Sequence, residues 1–226
     1  MLKAIIFDCD GVIADTEPLH FSTIQQALSE EGIEITREDY YRHYLALDDR
    51  GCFKLIYERH GLELTDDKLD QLKQRKAASV EPVMRKELKL FAGVVDFIRI
   101  ASRRFPLAVA SGALANEIDL ILEHAGVRDC FSAVVSATDV ANGKPHPEPF
   151  IRALSLINSS LGASIEPAEC LVIEDSVHGV QAARLAGMRC LAVTNSYDSD
   201  RLWQADIIAA SLADISIEQI ETLFAP

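Results

Sequence analysis

Six short runs dominated by Val, Ile, Leu and Ala recur along the chain with little polar interruption: Leu2–Phe7, Leu107–Ala110, Ala133–Ser136, Cys170–Ile173, Cys190–Val193 and Ile207–Ala210. A strand that alternates apolar and polar residues can leave one face in water, whereas a continuous apolar run needs cover on both faces. Helix-like segments lie between most of these runs and supply that cover: Val94–Arg103, Asn116–Ala125, Glu148–Leu156 and Val177–Ala186, the last followed by Gly187 as a C-cap. Strand alternating with helix predicts an α/β fold with a Rossmann-like, doubly wound parallel sheet.

From about Glu17 to Glu87 that rhythm breaks. Four helix-like patterns follow one another, roughly Leu19–Glu31, Arg37–Leu47, Arg50–Arg59 and Asp66–Val80, with turn signals at Gly32, Asp48–Asp49 and Gly61–Leu64 between them. We expect residues 16–88 to form an inserted four-helix cap domain, and residues 1–15 and 89–226 to form the α/β core. The simpler alternative packs these helices on one face of the sheet.

The 226 residues, about half of them hydrophobic, suffice for a sizeable core. A formal net charge of −13 with no cluster of Lys and Arg excludes general affinity for nucleic acid or anionic membranes. The five cysteines are scattered without a C-x-x-C pair, which fits neither a disulfide framework nor a zinc site. With no signal-peptide pattern and no apolar run of membrane-spanning length, we expect a soluble, cytoplasmic chain, monomeric by default.

Four segments carry chemistry. The first run ends in Phe7-Asp8-Cys9-Asp10-Gly11-Val12, placing two carboxylates at the edge where a parallel sheet presents its ligands. D-x-D-G also opens calcium loops, but a strand precedes it here, and neither a third acidic ligand nor a closing Glu stands at EF-hand spacing. Val109-Ala110-Ser111-Gly112 ends a strand in a hydroxyl and a glycine whose amides can cradle an anion, or simply make a turn. Asn142 to Pro149 holds Lys144 between turn-forming residues; it is either a fixed point charge for a phosphoryl group or a solvated loop lysine. Leu171 to Ser176 ends another apolar strand in Glu174 and Asp175. If that strand neighbours the first, these carboxylates gather near Asp8 and call for a cation, Mg²⁺ among oxygen ligands; alternatively Asp175 or Ser176 serves as a helix N-cap.

Together, D-x-D-G-V, S-G, G-K-P and E-D-S resemble the haloacid dehalogenase superfamily over nearly the whole chain. Gly11 to His20, followed by a helical insert, is similar to the β-phosphoglucomutase/CbbY-like phosphatase subfamily with its helical cap. The resemblance implies that Asp8 is the nucleophile and Asp10 the general acid and base. It implies Mg²⁺ held by Asp8, the backbone carbonyl of Asp10 and Asp175, with Glu174 acting through water. The phosphoryl group would be held by Ser111, Gly112, Lys144 and the backbone at Cys9. It further implies cap hinges near Ala14–Thr16 and Leu88–Gly93, with His20, Arg50 and Lys76 of the Arg75-Lys76 pair as candidate substrate contacts.

The expected function is a Mg²⁺-dependent phosphatase for small phosphate monoesters, sugar phosphates above all. The alternative is a phosphosugar mutase; in the resembled mutases, polar residues after the serine form a second anion site, whereas here Ala113-Leu114-Ala115 offer no side-chain donor. A noncatalytic phosphometabolite-binding protein is a third reading, disfavoured because both aspartates, the lysine and the metal carboxylate are all present.

Overall fold

Small and β-branched side chains covered on both faces form strands here, and the amphipathic segments between them form the covering helices. The computed structural model describes residues 1–45, 47 and 49–225. In chain order its first elements are β1 (Ala4–Phe7), β2 (Ala14–Asp15), α1 (Glu17–Ser29), α2 (Arg37–Asp39) leading into a π-helical turn (Tyr40–Tyr44), α3 (Asp49–Arg59) and α4 (Asp66–Glu87). There follow β3 (Lys89–Leu90), α5 (Val94–Ser102), β4 (Leu107–Ala110), α6 (Ala115–His124), β5 (Phe131–Val135) and α7 (Glu148–Leu161). The chain closes with β6 (Cys170–Glu174), α8 (Val177–Leu185), β7 (Arg189–Val193), β8 (Ile207–Ala209) and α9 (Ile217–Glu221). Two compact units result, Met1–Asp15 with Lys89–Pro226, and Thr16–Leu88.

The first unit is built on a six-stranded parallel sheet in the order β5-β4-β1-β6-β7-β8. From β1 the chain steps outward to β4 and β5, then crosses to β6 on the other side of β1, so the topology switches beside β1. Phe7 lies level with both Val109 of β4 and Ile173 of β6. Whatever follows these three strands therefore emerges at one edge, beside the crevice that a switch point opens.

Alternation along β1 divides the core. Ala4 and Ile6 join Phe150, Ala153, Val180 and Ala183 of α7 and α8 in one buried cluster. On the other face Phe7 meets Phe97 and Phe131 edge to face, at centroid distances of 6.1 and 5.6 Å. Each buried Ile, Val or Phe among these contributes roughly 1.5–3 kcal/mol of transfer free energy.

The second unit has its own core around Leu28, Phe53, Ile56 and Leu72. Two of its helices, α2 and α4, start on hydroxyl caps: Thr36 accepts from the Asp39 amide, and Thr65 from that of Lys68. Glu31 of the α1–α2 connection binds Lys68 and Arg75 of α4 at 3.0 and 2.7 Å.

Several elements differ from expectation. The fourth helix of this unit runs to Glu87 instead of Val80, through Pro82, because Val83 and Met84 beyond it are buried. α7 continues to Leu161, where Gly162 at φ +60° ends it. β2 and β3, two residues each, form an antiparallel ladder too short to leave a periodic signal. α9 was missed although Ser216 and Gln219 spell a capping box. Asp48, part of a turn signal, lies outside the described residues. No helix among the described residues is long and apolar enough to cross a membrane.

Candidate active site

Because β4, β1 and β6 end level, their carboxyl-terminal extensions converge. Asp8, Ser111, Glu174 and Asp175 are all buried there. Among the described residues, Asp8, Glu174 and Asp175 form a group whose oxygens lie within 4.8 Å of one another. Lys144 enters from the loop after β5 and places its Nζ 2.6 Å from Asp8 Oδ1 and 2.7 Å from Glu174 Oε1. The ring of Phe150 lies 4.9 Å beneath that ammonium. Ser111 Oγ donates to Asp10 Oδ2 at 3.1 Å and accepts from the Ala113 amide at 3.0 Å.

Two glycines make this density possible. Gly11 has φ +75°, and a Cβ there would fall inside the Asp175 carboxylate. Likewise a Cβ on Gly179, in the first turn of α8, would overlap the Glu174 carboxylate. Glu174 Oε2 accepts from the Asp175 and Ser176 amides and from Ser176 Oγ, each at 2.9 Å, while Oε1 faces Lys144. Ser176 Oγ also caps α8 by accepting from the Gly179 amide at 3.0 Å, so the N-cap is Ser176 and not Asp175.

Burial dominates the electrostatics. It pushes Asp8 up to about 7, with Glu174 and Asp10 adding to the rise and Lys144 opposing it. Asp175 is raised for the same reason, reinforced by Glu174 and Asp8 and partly offset by the Ser196 side chain. Desolvation would lower Lys144, but the carboxylates of Asp8 and Glu174 outweigh it and hold the ammonium charged. Cys9 is buried and its thiol is pushed up by desolvation and by the charges of Asp10 and Asp8. Three buried carboxyl groups facing one ammonium form an oxygen-rich donor set short of positive charge, and a hard divalent cation fits it.

Other residues shape the site without having been singled out. Glu148, at the start of α7, accepts from the Ala141 and Asn142 amides at 2.8 and 3.0 Å and so folds the loop bearing Lys144. His146 Nδ1 accepts from the Glu148 amide at 3.2 Å, a local turn contact. Asn195, after β7, reaches Gly11. Its position after a sheet strand is the available signal, but it carries no charge to mark it.

The remaining candidates lie in the helical unit. His20 is half-buried in α1. Arg50 is largely exposed and sits 3.5 Å from Asp66. Lys76 is buried, its ammonium paired with Asp49.

Known proteins share this arrangement of sequence and fold. The model of the family described as haloacid dehalogenase-like hydrolase matches residues 5–193. A phosphorylated carbohydrates phosphatase from Thermotoga maritima is 32% identical over 211 residues, 92% of this chain and 93% of that protein. Fructose-1-phosphate phosphatase YqaB from Escherichia coli is 30% identical over 189 residues, 84% of this chain and 95% of the relative. In fold, the chain is similar to CbbY from Rhodobacter sphaeroides crystallised with phosphate, with a TM-score of 0.81, 24% identity and 95% and 96% of the two chains covered.

Proposed function

Because the chain belongs to the haloacid dehalogenase-like hydrolase family, we propose that it is a Mg²⁺-dependent phosphatase of sugar phosphates and similar small monoesters, with Asp8 as nucleophile. The observation that carries this reading is the meeting of Asp8, Lys144, Glu174 and Asp175 at one buried point beside the Ser111–Asp10 pair. Relatives named as phosphatases of phosphorylated carbohydrates and of fructose 1-phosphate support the substrate class.

In this reading an Asp8 oxygen attacks phosphorus, the bond from phosphorus to the ester oxygen breaks, and Asp10 gives its proton to the departing alcohol. Asp10 then takes a proton from the water that attacks the aspartyl phosphate, releasing inorganic phosphate and regenerating Asp8. Ser111 holds Asp10 in place through its 3.1 Å hydrogen bond. Lys144, with Ser111 and the amides of Gly112 and Cys9, holds the phosphoryl oxygens and offsets charge in the transition state. Asp8, the Asp10 carbonyl and Asp175 would hold Mg²⁺, whose charge, when bound, lets an anionic ester approach an anionic carboxylate. With both of its oxygens engaged, Glu174 chiefly positions Lys144 and the turn into α8.

We assign the unit Thr16–Leu88 the role of a substrate-selecting cap, with His20, Arg50 and Lys76 as its candidate contacts. Hydrolysis is favoured over mutase chemistry because Ala113-Leu114-Ala115 bring no side-chain donor and two of their amides are bonded internally. The Ala113 amide is bonded to Ser111 Oγ, and that of Leu114 to Glu117 Oε2 at 3.2 Å. The five cysteines are free thiols, in keeping with a reducing cytosol.

Phosphate release from a panel of sugar phosphates, with Mg²⁺ or chelator, tests the proposal. Release is expected to require Mg²⁺ and to fall roughly a thousand-fold or more in Asp8→Asn, about 4 kcal/mol of barrier. Undiminished turnover in that variant would remove the nucleophile assignment. Isomerisation of β-glucose 1-phosphate without phosphate release would make the protein a mutase.

A further inference from the structure

The loop after β7 touches the site through Asn195, a side chain that the proposed reaction leaves without a part. Asn195 Nδ2 donates to the Gly11 carbonyl at 2.7 Å, joining segments 184 residues apart. Its target lies in close apposition to a proposed metal ligand, since a Cβ on Gly11 would overlap the Asp175 carboxylate. The loop thus grips one wall of that contact.

The grip is anchored at each end. The Thr194 amide donates to the Ala209 carbonyl at 3.0 Å, extending the β7–β8 pairing to the residue before Asn195. At the other end, the Gly11 amide donates to the Ala14 carbonyl at 2.9 Å, so both backbone groups of Gly11 are fixed. Asn195 therefore holds the orientation of the turn that follows Asp10, and with it the direction of the Asp10 carbonyl one peptide earlier. Groups that hydrogen-bond to metal ligands in this manner set their orientation, and losing one typically weakens metal binding 10- to 100-fold.

We infer that Asn195 is a positioning residue that holds the Asp10–Gly11 turn against Asp175 at the spacing a divalent cation requires, and so sets the affinity for Mg²⁺. This rests on the Mg²⁺ site proposed above. A merely structural role would tie down a loop, lowering stability when lost without changing metal affinity.

The experiment is calorimetric titration of the metal-free 226-residue protein with MgCl₂, for wild type, Asn195→Ala and Asn195→Ser, alongside thermal melts without metal. Expected are dissociation constants raised about ten-fold or more in both Asn195 variants. In turnover, the Mg²⁺ concentration giving half-maximal rate should rise more than kcat falls. Wild-type affinity in both Asn195 variants, whatever their melting temperatures, would overturn the inference and leave the phosphatase reading standing. A wild-type protein that binds no Mg²⁺ would overturn both, and is told apart by the first titration alone.

Discussion

Glu117 does more at the residue scale than its place on a helix suggests. Its carboxylate occupies the Leu114 amide at the head of α6, and its charge registers on the Cys9 thiol together with those of Asp10 and Asp8. A substrate carrying a second phosphoryl group near Ser111 would meet this carboxylate where it needs a donor. Glu117→Gln keeps an oxygen for the amide and removes the charge. The ratio of kcat/KM for fructose 1,6-bisphosphate to that for fructose 1-phosphate should then rise on the order of ten-fold at low ionic strength. In about 1 M salt, where the screening length is about 3 Å, the variant and wild type should converge. Steady-state kinetics at the two ionic strengths check this, and a ratio that ignores the charge would show that Glu117 is only a cap.

At the scale of elements, the join between β6 and α8 decides whether Lys144 is aimed. Glu174 is fully buried at the strand end, and the first turn of α8 can lie against it only because residue 179 has no side chain. Gly179→Ala forces the helix or the carboxylate to move. Overpacking of this kind costs about 3 kcal/mol, and denaturant unfolding should read that loss. Activity should fall further than stability explains, because the displaced Glu174 oxygen is the one bonded to Lys144. A variant with wild-type stability would mean that the join yields more easily than its packing implies.

For the whole molecule, the buried acidic group couples folding to pH and, with the Mg²⁺ site proposed above, to metal. Asp8 is raised to about 7, whereas an unfolded aspartate titrates near 4. Between these values the metal-free native state holds a proton that the unfolded chain has released, so this group's contribution to stability decreases as pH rises through the window. Asp175, also raised, acts in the same direction. Mg²⁺ competes with those protons, so its stabilisation of the fold should grow from roughly pH 5 to roughly pH 8. Melting temperatures with and without Mg²⁺ across that range test this. The metal-free fall should be shallower in Asp8→Asn; an equal slope would place the pH dependence elsewhere.

What the chain discloses on its own follows from periodicity and composition, which are local. The apolar runs at Leu107–Ala110 and Cys170–Ile173 are readable as covered strands because their whole length is apolar, and the parallel α/β class follows. So does the placing of Asp8, Ser111 and Asp175 just past strand ends. The order β4-β1-β6, which makes those ends neighbours, is not local: it depends on which helices cover which face, and so emerges only when the sheet assembles. The same holds for the bond from Asn195 to Gly11, a polar contact across 184 residues that no pattern in either segment announces. It holds too for the burial that moves Asp8 to about 7, since desolvation is a property of the surroundings and not of the residue. Residue types and their spacing determined which groups are at hand; only the tertiary structure decided their distances, partners and charge.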